Sequence, residues 1–192
     1  MPFSEQPKSQ NENSNWKSLA IWILLAVLLR WQIIEPRWIP SGSMLPTLQL
    51  RERLLIEKVS PKFNRIFKLD PQRETIVVFN PPRALVQAGY EGNQALIKRV
   101  VGLPGDKIEV HNGRLIRNNK AIDEPWVVEK IKYEMDSIIV PPLSVWVLGD
   151  NRNNSLDSHI WGPLPQKNLV GSAVFRYWPI KKIGTIRFPS KK

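Results

Sequence analysis

Hydrophobic and polar positions change pattern twice along the chain. Residues 1–15 are polar, rich in Ser, Asn and Gln, and show no periodicity, which is the pattern of a disordered tail. Residues 19–29 are apolar without exception. Arg30 interrupts the run, and Trp31, Ile33 and Ile34 continue it until Glu35-Pro36 ends any helix. The stretch 16–35 is close to the ~20 residues that a transmembrane helix needs. Arg30 lies near enough to one end to snorkel, and Trp16, Trp31 and Trp38 stand where interfacial tryptophans would. No small-residue cleavage site follows, as it would after a signal peptide. The pattern therefore predicts one retained transmembrane anchor, with a buried core helix as the alternative. Lys8 and Lys17 before it are matched by Arg30 and Arg37 after it, so charge does not orient it.

Beyond Pro40 the texture becomes short apolar and β-branched runs separated by turn signals. Runs at 53–59, 75–79, 95–101, 107–110, 114–117, 144–148 and 170–177 predict strands, and Asn112-Gly113 between two of them predicts a tight hairpin. Pro81-Pro82 and Pro141-Pro142 punctuate the series. The expected architecture is a mainly β, antiparallel domain over 36–192 with long connections, preceded by the anchor and by the tail over 1–15.

Composition narrows the function. The 17 prolines disfavour long helices, and the absence of cysteine excludes disulfides, thiolate metal sites and cysteine nucleophiles. A net charge of +11 suits nucleic acid or an anionic membrane surface. The cations are scattered, with their densest cluster at Lys181, Lys182, Arg187, Lys191 and Lys192, and no helix-turn-helix, zinc finger or aromatic RNA-binding signature accompanies them. Membrane lipid is thus the expected partner of the charge, and nucleic acid is not expected. Only two histidines, His111 and His159, are present, and no His-Glu-x-x-His arrangement, so no zinc site is expected. The run from Asp150 to Ser155 fails as a calcium loop because Arg152 takes the third position and Ser155 the sixth. No glycine-rich phosphate loop exists, and neither a metal nor a cofactor is expected.

A serine hydrolase stays open. Ser43 sits among small residues between Pro40 and Pro46, a stiff setting for an exposed hydroxyl whose own amide faces a developing oxyanion, although a plain turn has the same composition. In the run 95–101, alternation places Leu96, Lys98 and Val100 on one face and Ala95, Ile97, Arg99 and Val101 on the other. Two cations thus fall within a strand whose faces both look apolar. A buried arginine must find a carboxylate, whereas a buried lysine can give up its proton. To serve as a base near neutrality, Lys98 must titrate about 2 to 3 below its ordinary ~10.4. An edge strand with both amines in water is the bland alternative. A third polar cluster, 149–162, carries Asp150, Arg152, Asp157 and His159. It could form a Ser-His-Asp triad through His159, a salt-bridged support for a site elsewhere, or a solvated acidic turn.

Three segments together resemble the type I signal peptidases: Pro40-Ser-Gly-Ser-Met-Leu-Pro-Thr47, Ile97-Lys-Arg-Val-Val-Gly-Leu-Pro-Gly-Asp106 and Gly149-Asp-Asn-Arg-Asn-Asn-Ser-Leu-Asp-Ser158. With the preceding hydrophobic span, the resemblance extends from about residue 16 to 180. It implies an antiparallel β fold shared with self-cleaving repressors. It further implies Ser43 as nucleophile, Lys98 as general base, Ser41 as an oxyanion hydroxyl and Ser155 as the serine that hydrogen-bonds and orients the lysine. Asp150 would pair with Arg99, and Asp157 would support the site. Ile39, Met44, Leu48, Leu96 and Ile97 would line shallow pockets for small residues at −1 and −3 of an extended substrate.

The implied activity is removal of signal peptides from secretory preproteins by a monomer, anchored once, with its β domain on the extracytoplasmic or lumenal side. Three positions depart from the family pattern. His159 replaces an arginine that some members carry, Leu96 an aromatic, and Arg73-Glu74 a Gly-Asp. The rival readings are a self-cleaving repressor, which the anchor and the missing DNA-binding helices disfavour, and a membrane-tethered basic binding protein with a dead site.

Overall fold

The computed structural model describes residues 13–67 and 69–186. The expected tail up to residue 12, and Arg187, Lys191 and Lys192 of the basic cluster, lie outside them. The chain divides at Ile33 into two units.

The first unit contains helix α1, Asn13–Ile33. Its apolar side chains from Trp16 to Val27 are exposed on every side, Leu19, Trp22 and Leu25 among them. The side chains of Leu28, Leu29, Arg30 and Trp31 are outside the description. Among the described residues no helix is long and apolar enough to cross a membrane. The bounds also differ from expectation. Asn13 to Asn15 join the helix, while Ile34 and Glu35 leave it for strand β1, Ile34–Trp38. Pro36 denies Glu35 a helical conformation. Ile34 instead pairs with Glu57, and Pro36 is tolerated because β1 is an edge strand.

The second unit is built on two antiparallel sheets. The larger has eight strands. Its main path runs β1, β2 (Arg53–Glu57), β11 (Leu169–Trp178), β3 (Ile76–Phe79), β4 (Leu96–Gly102), β9 (Ser144–Leu148) and β10 (Leu164–Pro165), and β12 (Gly184–Thr185) adds to β11. The smaller contains β7 (Lys120–Ala121), β6 (Arg114–Arg117), β5 (Lys107–His111) and β8 (Met135–Ile139). Asn112 and Gly113 take φ of 53° and 76° in the β5–β6 turn, the left-handed pair that a two-residue hairpin requires.

Three apolar clusters hold the strands. One joins Ile39, Met44 and Leu48 to Leu54, Ile56, Val78 and Ile97. A second packs Val101, Trp146 and Leu148 against the small sheet, and a third gathers Val77, Phe79, Val100 and Val147. The run expected as a strand through Val59 ends at Glu57. The Glu57 carboxylate accepts the backbone N–H groups of Val59 and Ser60 and so starts helix α2, Val59–Phe67. Short helices α3 (Arg83–Gln87) and α4 (Ser158–Trp161) complete the unit, the latter capped by Asp157, whose carboxylate accepts the His159 N–H.

Candidate active site

β4 is the centre of the site because both its edges are paired. Val77 lies opposite Lys98 and Ile76 opposite Arg99 on one side, and Leu148 lies opposite Arg99 on the other. The edge-strand alternative for the two cations is therefore overturned: Lys98 is 2% exposed and Arg99 3%. Each meets a different fate. Arg99 forms a two-pronged pair with Asp150, at 2.8 and 2.6 Å. It also donates to the Glu74 carbonyl at 2.8 Å, and its guanidinium lies 4.3 Å from the Trp126 ring centroid. Lys98 has no such partner. Its Nζ is 2.7 Å from Ser43 Oγ and 3.0 Å from the Ile97 carbonyl. Burial drives its pKa down to about 8, against the opposing pull of the Asp157 and Asp150 charges.

Ser43 lies in a single tight 3-10 turn, Gly42–Met44, that leads from β1 back into the core. Met44 and Leu48 anchor the turn from below, and both are fully buried. From above, Asn151 holds it twice: its backbone N–H donates to the Ser43 carbonyl at 3.0 Å and its Nδ2 to the Gly42 carbonyl at 3.2 Å. Ser41 Oγ stands 3.3 Å from Ser43 Oγ.

The segment carrying Asn151 is itself braced. Asp157 is completely buried, accepts the Gly149 N–H at 2.8 Å and meets His159 Nδ1 at 2.6 Å. Arg152, equally buried, donates to the Gly149 carbonyl and pairs with both oxygens of Glu124 at 2.6 Å. That pairing raises the Arg152 pKa although burial alone would lower it. At Gly149 only glycine fits, since a Cβ there would collide with the Ser43 carbonyl and with Ser155.

Several expected roles find different geometry. The Ser155 hydroxyl is buried without a hydrogen-bond partner, and the expected bond to Lys98 is not formed; the lysine's bonds go to Ser43 and to the Ile97 carbonyl. Ile39, Leu96 and Ile97 line a groove of about 530 Å³ between residues 35–40 and 93–97. Met44 and Leu48 do not line it, because the turn at Ser43 directs them into the core. A His159 triad is not assembled either. The imidazole commits Nδ1 to Asp157 and stacks 4.2 Å from the Tyr133 ring, and no hydrogen bond joins it to Ser43 among the described residues. Glu74 takes a left-handed φ of 68°, and Arg73 binds the Asp106 carboxylate at 2.8 Å, so the departure at these positions is accommodated as a separate ion pair.

Asn151, Glu124, Trp126 and Tyr133 were not foreseen. Asn151 sits inside a motif whose signal lies in its charged residues, and a neutral amide adds nothing to that signal. The others belong to a long connection without periodicity.

Fold and site together define a class: an antiparallel β protein that pairs a serine hydroxyl with a buried amine titrating near neutrality. A family model described as "Signal peptidase, peptidase S26" matches residues 13–178. A probable signal peptidase I-1 of Synechocystis sp. is 46% identical over 168 residues, covering 88% of this chain and 83% of that protein. A signal peptidase I of Leptolyngbya laminosa is 41% identical over 189 residues, covering 98% and 91%. A probable thylakoidal processing peptidase 2 of Arabidopsis thaliana is 46% identical, covering 85% of this chain and 43% of that protein. The chain belongs to the signal peptidase, peptidase S26, family and is a peptidase.

Proposed function

We propose that this chain is a serine endopeptidase that removes signal peptides from exported preproteins, with Ser43 as nucleophile and Lys98 as general base. The observation that carries the mechanism is the 2.7 Å contact between Ser43 Oγ and an amine whose pKa burial lowers to about 8. Such an amine is partly neutral at physiological pH and within proton-transfer reach of the hydroxyl. Lys98 Nζ takes the Ser43 proton as Oγ bonds to the scissile carbonyl carbon. The same proton then passes to the departing amine as the C–N bond breaks. Lys98 next draws a proton from water as its oxygen bonds to the acyl carbon, and returns that proton to Ser43 Oγ as the C–Oγ bond breaks and the carboxylate product is freed. The Ser41 hydroxyl, beside Oγ, supplies a donor to the oxyanion.

Substrate fits as an extended segment in the groove between β1 and the start of β4. Among the described residues one edge of β1 has no strand partner, and Ile39, Leu96 and Ile97 offer apolar walls to small side chains. The protein works as a monomer at a membrane. α1 has 21 residues and is ~31 Å long at 1.5 Å per residue, matching a ~30 Å hydrocarbon core. The exposed apolar run over 19–27 is the part that lipid would cover, with the β unit on the extracytoplasmic or lumenal side.

The test is cleavage of a precursor with Ala at −1 and −3 by the detergent-solubilised full chain. Ser43→Ala and Lys98→Ala should each lower the rate by about 10³-fold or more, and His159→Ala should keep most of it. Wild-type rates from either of the first two variants overturn the dyad. Loss of activity in His159→Ala alone would install the triad instead.

A further inference from the structure

Helix α2 is amphipathic the wrong way round for a globular protein. A surface helix normally turns its apolar stripe to the core and its polar side to water. In α2 the positions Val59, Phe63, Ile66 and Phe67 share one face by helical periodicity, and all four are exposed. Ile66 is 72% exposed and Phe67 58%, and no residue of the helix is fully buried. Its least exposed positions are Pro61 and Asn64. The helix therefore rests on the domain by its polar side. The outward rings of Phe63 and Phe67 stack on each other at 4.3 Å, and no core residue covers them.

Two features indicate what covers this face. Lys62 borders the apolar stripe, and Arg65, on the same side but turned further toward the domain, lines with Lys62 and Lys58 a groove that also contains Glu35; both cations are exposed, and neither has an ion pair among the described residues. An outward apolar stripe edged by free cations is the arrangement of a helix lying in an anionic lipid interface, where the rings sit at the acyl boundary and the cations reach phosphate. The second feature is chain continuity. Lys58, immediately before α2, is 3.2 Å from Glu35, which is only two residues past the end of α1. α2 thus starts beside the place where the β unit takes over from the apolar helix.

We propose that α2 is an interfacial membrane-docking helix, inserting its apolar face between lipids while Lys62 and Arg65 engage anionic phosphates. It orients the β unit on the bilayer. The proposal rests on the membrane reading above and is separable from it.

The absence of cysteine makes any introduced thiol unique. Full-length Ile66→Cys carries an NBD fluorophore and is reconstituted into vesicles of phosphatidylglycerol and phosphatidylcholine, with and without doxyl-labelled lipid. Leu24→Cys on α1 and the exposed Lys120→Cys serve as reference sites. The Ile66 label should be quenched at least about twofold more than the Lys120 label. In Lys62→Glu/Arg65→Glu, or in vesicles of phosphatidylcholine alone, that difference should shrink. Quenching at Leu24 but not at Ile66 overturns the docking role while sparing the membrane reading. Quenching at neither site overturns both. Energy transfer between labelled copies without lipid quenching at Ile66 would assign the face to a second copy of the chain and also overturn the proposal. Quenching unaffected by anionic lipid and by the charge reversals would overturn the role of the cations.

Discussion

Lys98 carries a cost that can be measured apart from any activity. Its pKa is about 8 in the folded chain and near 10.5 when unfolded. Below pH 8 both states hold the proton, and the folded state bears the full burden of a buried charge, about 3 kcal/mol. Between 8 and 10.5 the unfolded chain binds the proton and the folded chain does not, so stability rises with pH across that window. Above it both are neutral and the burden is gone. Lys98→Met lacks the charge altogether. At pH 6.5 it should exceed the wild type in urea-unfolding free energy by about 1–3 kcal/mol, less the bonds to Ser43 and the Ile97 carbonyl. By pH 10 the difference should have largely vanished. The same titration predicts that kcat/KM climbs with pH through an apparent pKa near 8, as neutral Lys98 accumulates. A profile flat from pH 6 to 10 would leave Lys98 without the role of base. Gly149→Ala is a second test at this scale. Its methyl group would push against the Ser43 carbonyl, so it should cost about 1–3 kcal/mol of stability and lower kcat at least tenfold with little change in KM.

Among the elements, the polar segment after β9 acts as a brace rather than as a source of reacting groups. Asn151 grips the Ser43 turn, and Arg152 ties the segment to Glu124 through side chains that are 0% and 8% exposed. Removing one partner of a buried pair strands the other, so Arg152→Leu should destabilise by roughly 3–5 kcal/mol. Arg152→Leu/Glu124→Leu should recover much of that loss, and urea unfolding of both variants with Glu124→Leu measures the coupling. This scale also shows what local sequence carries and what it does not. The strand around Lys98 was legible because two cations inside an apolar run require explanation, and Arg99 with Asp150 provides one. The β5–β6 hairpin was legible because Asn112-Gly113 satisfies its turn locally. The pairing of β11 with both β2 and β3 was not, because residues 90 or more positions apart leave no shared periodicity. α2 was missed for a different reason. A pattern read as core-seeking cannot announce a helix whose apolar side faces outward, and the Glu57 carboxylate that starts it looked like one more strand residue.

At the scale of the whole molecule, the two units divide the labour. The clusters that hold the β unit begin at Ile39, and the bonds that fix Ser43 come from residues 41–151. Among the described residues, every bond named above for the Ser43 turn comes from residues 41–151 of the β unit. A chain lacking residues 1–33 should therefore unfold at the same urea midpoint as the β unit of the full chain, and should cleave a short soluble peptide with kcat/KM within about threefold. The proposed membrane role enters only when the substrate is itself held in lipid. Confining enzyme and precursor to one surface turns a three-dimensional encounter into a local one, and gains of about 10²-fold are ordinary for such tethering. The truncated chain should lose a factor of that order on a vesicle-embedded precursor while keeping its rate on the soluble peptide. A lowered urea midpoint would make α1 part of the fold. Equal rates on both substrates would mean that α1 contributes no local concentration, and recognition would then reside in the groove beside Ser43 alone.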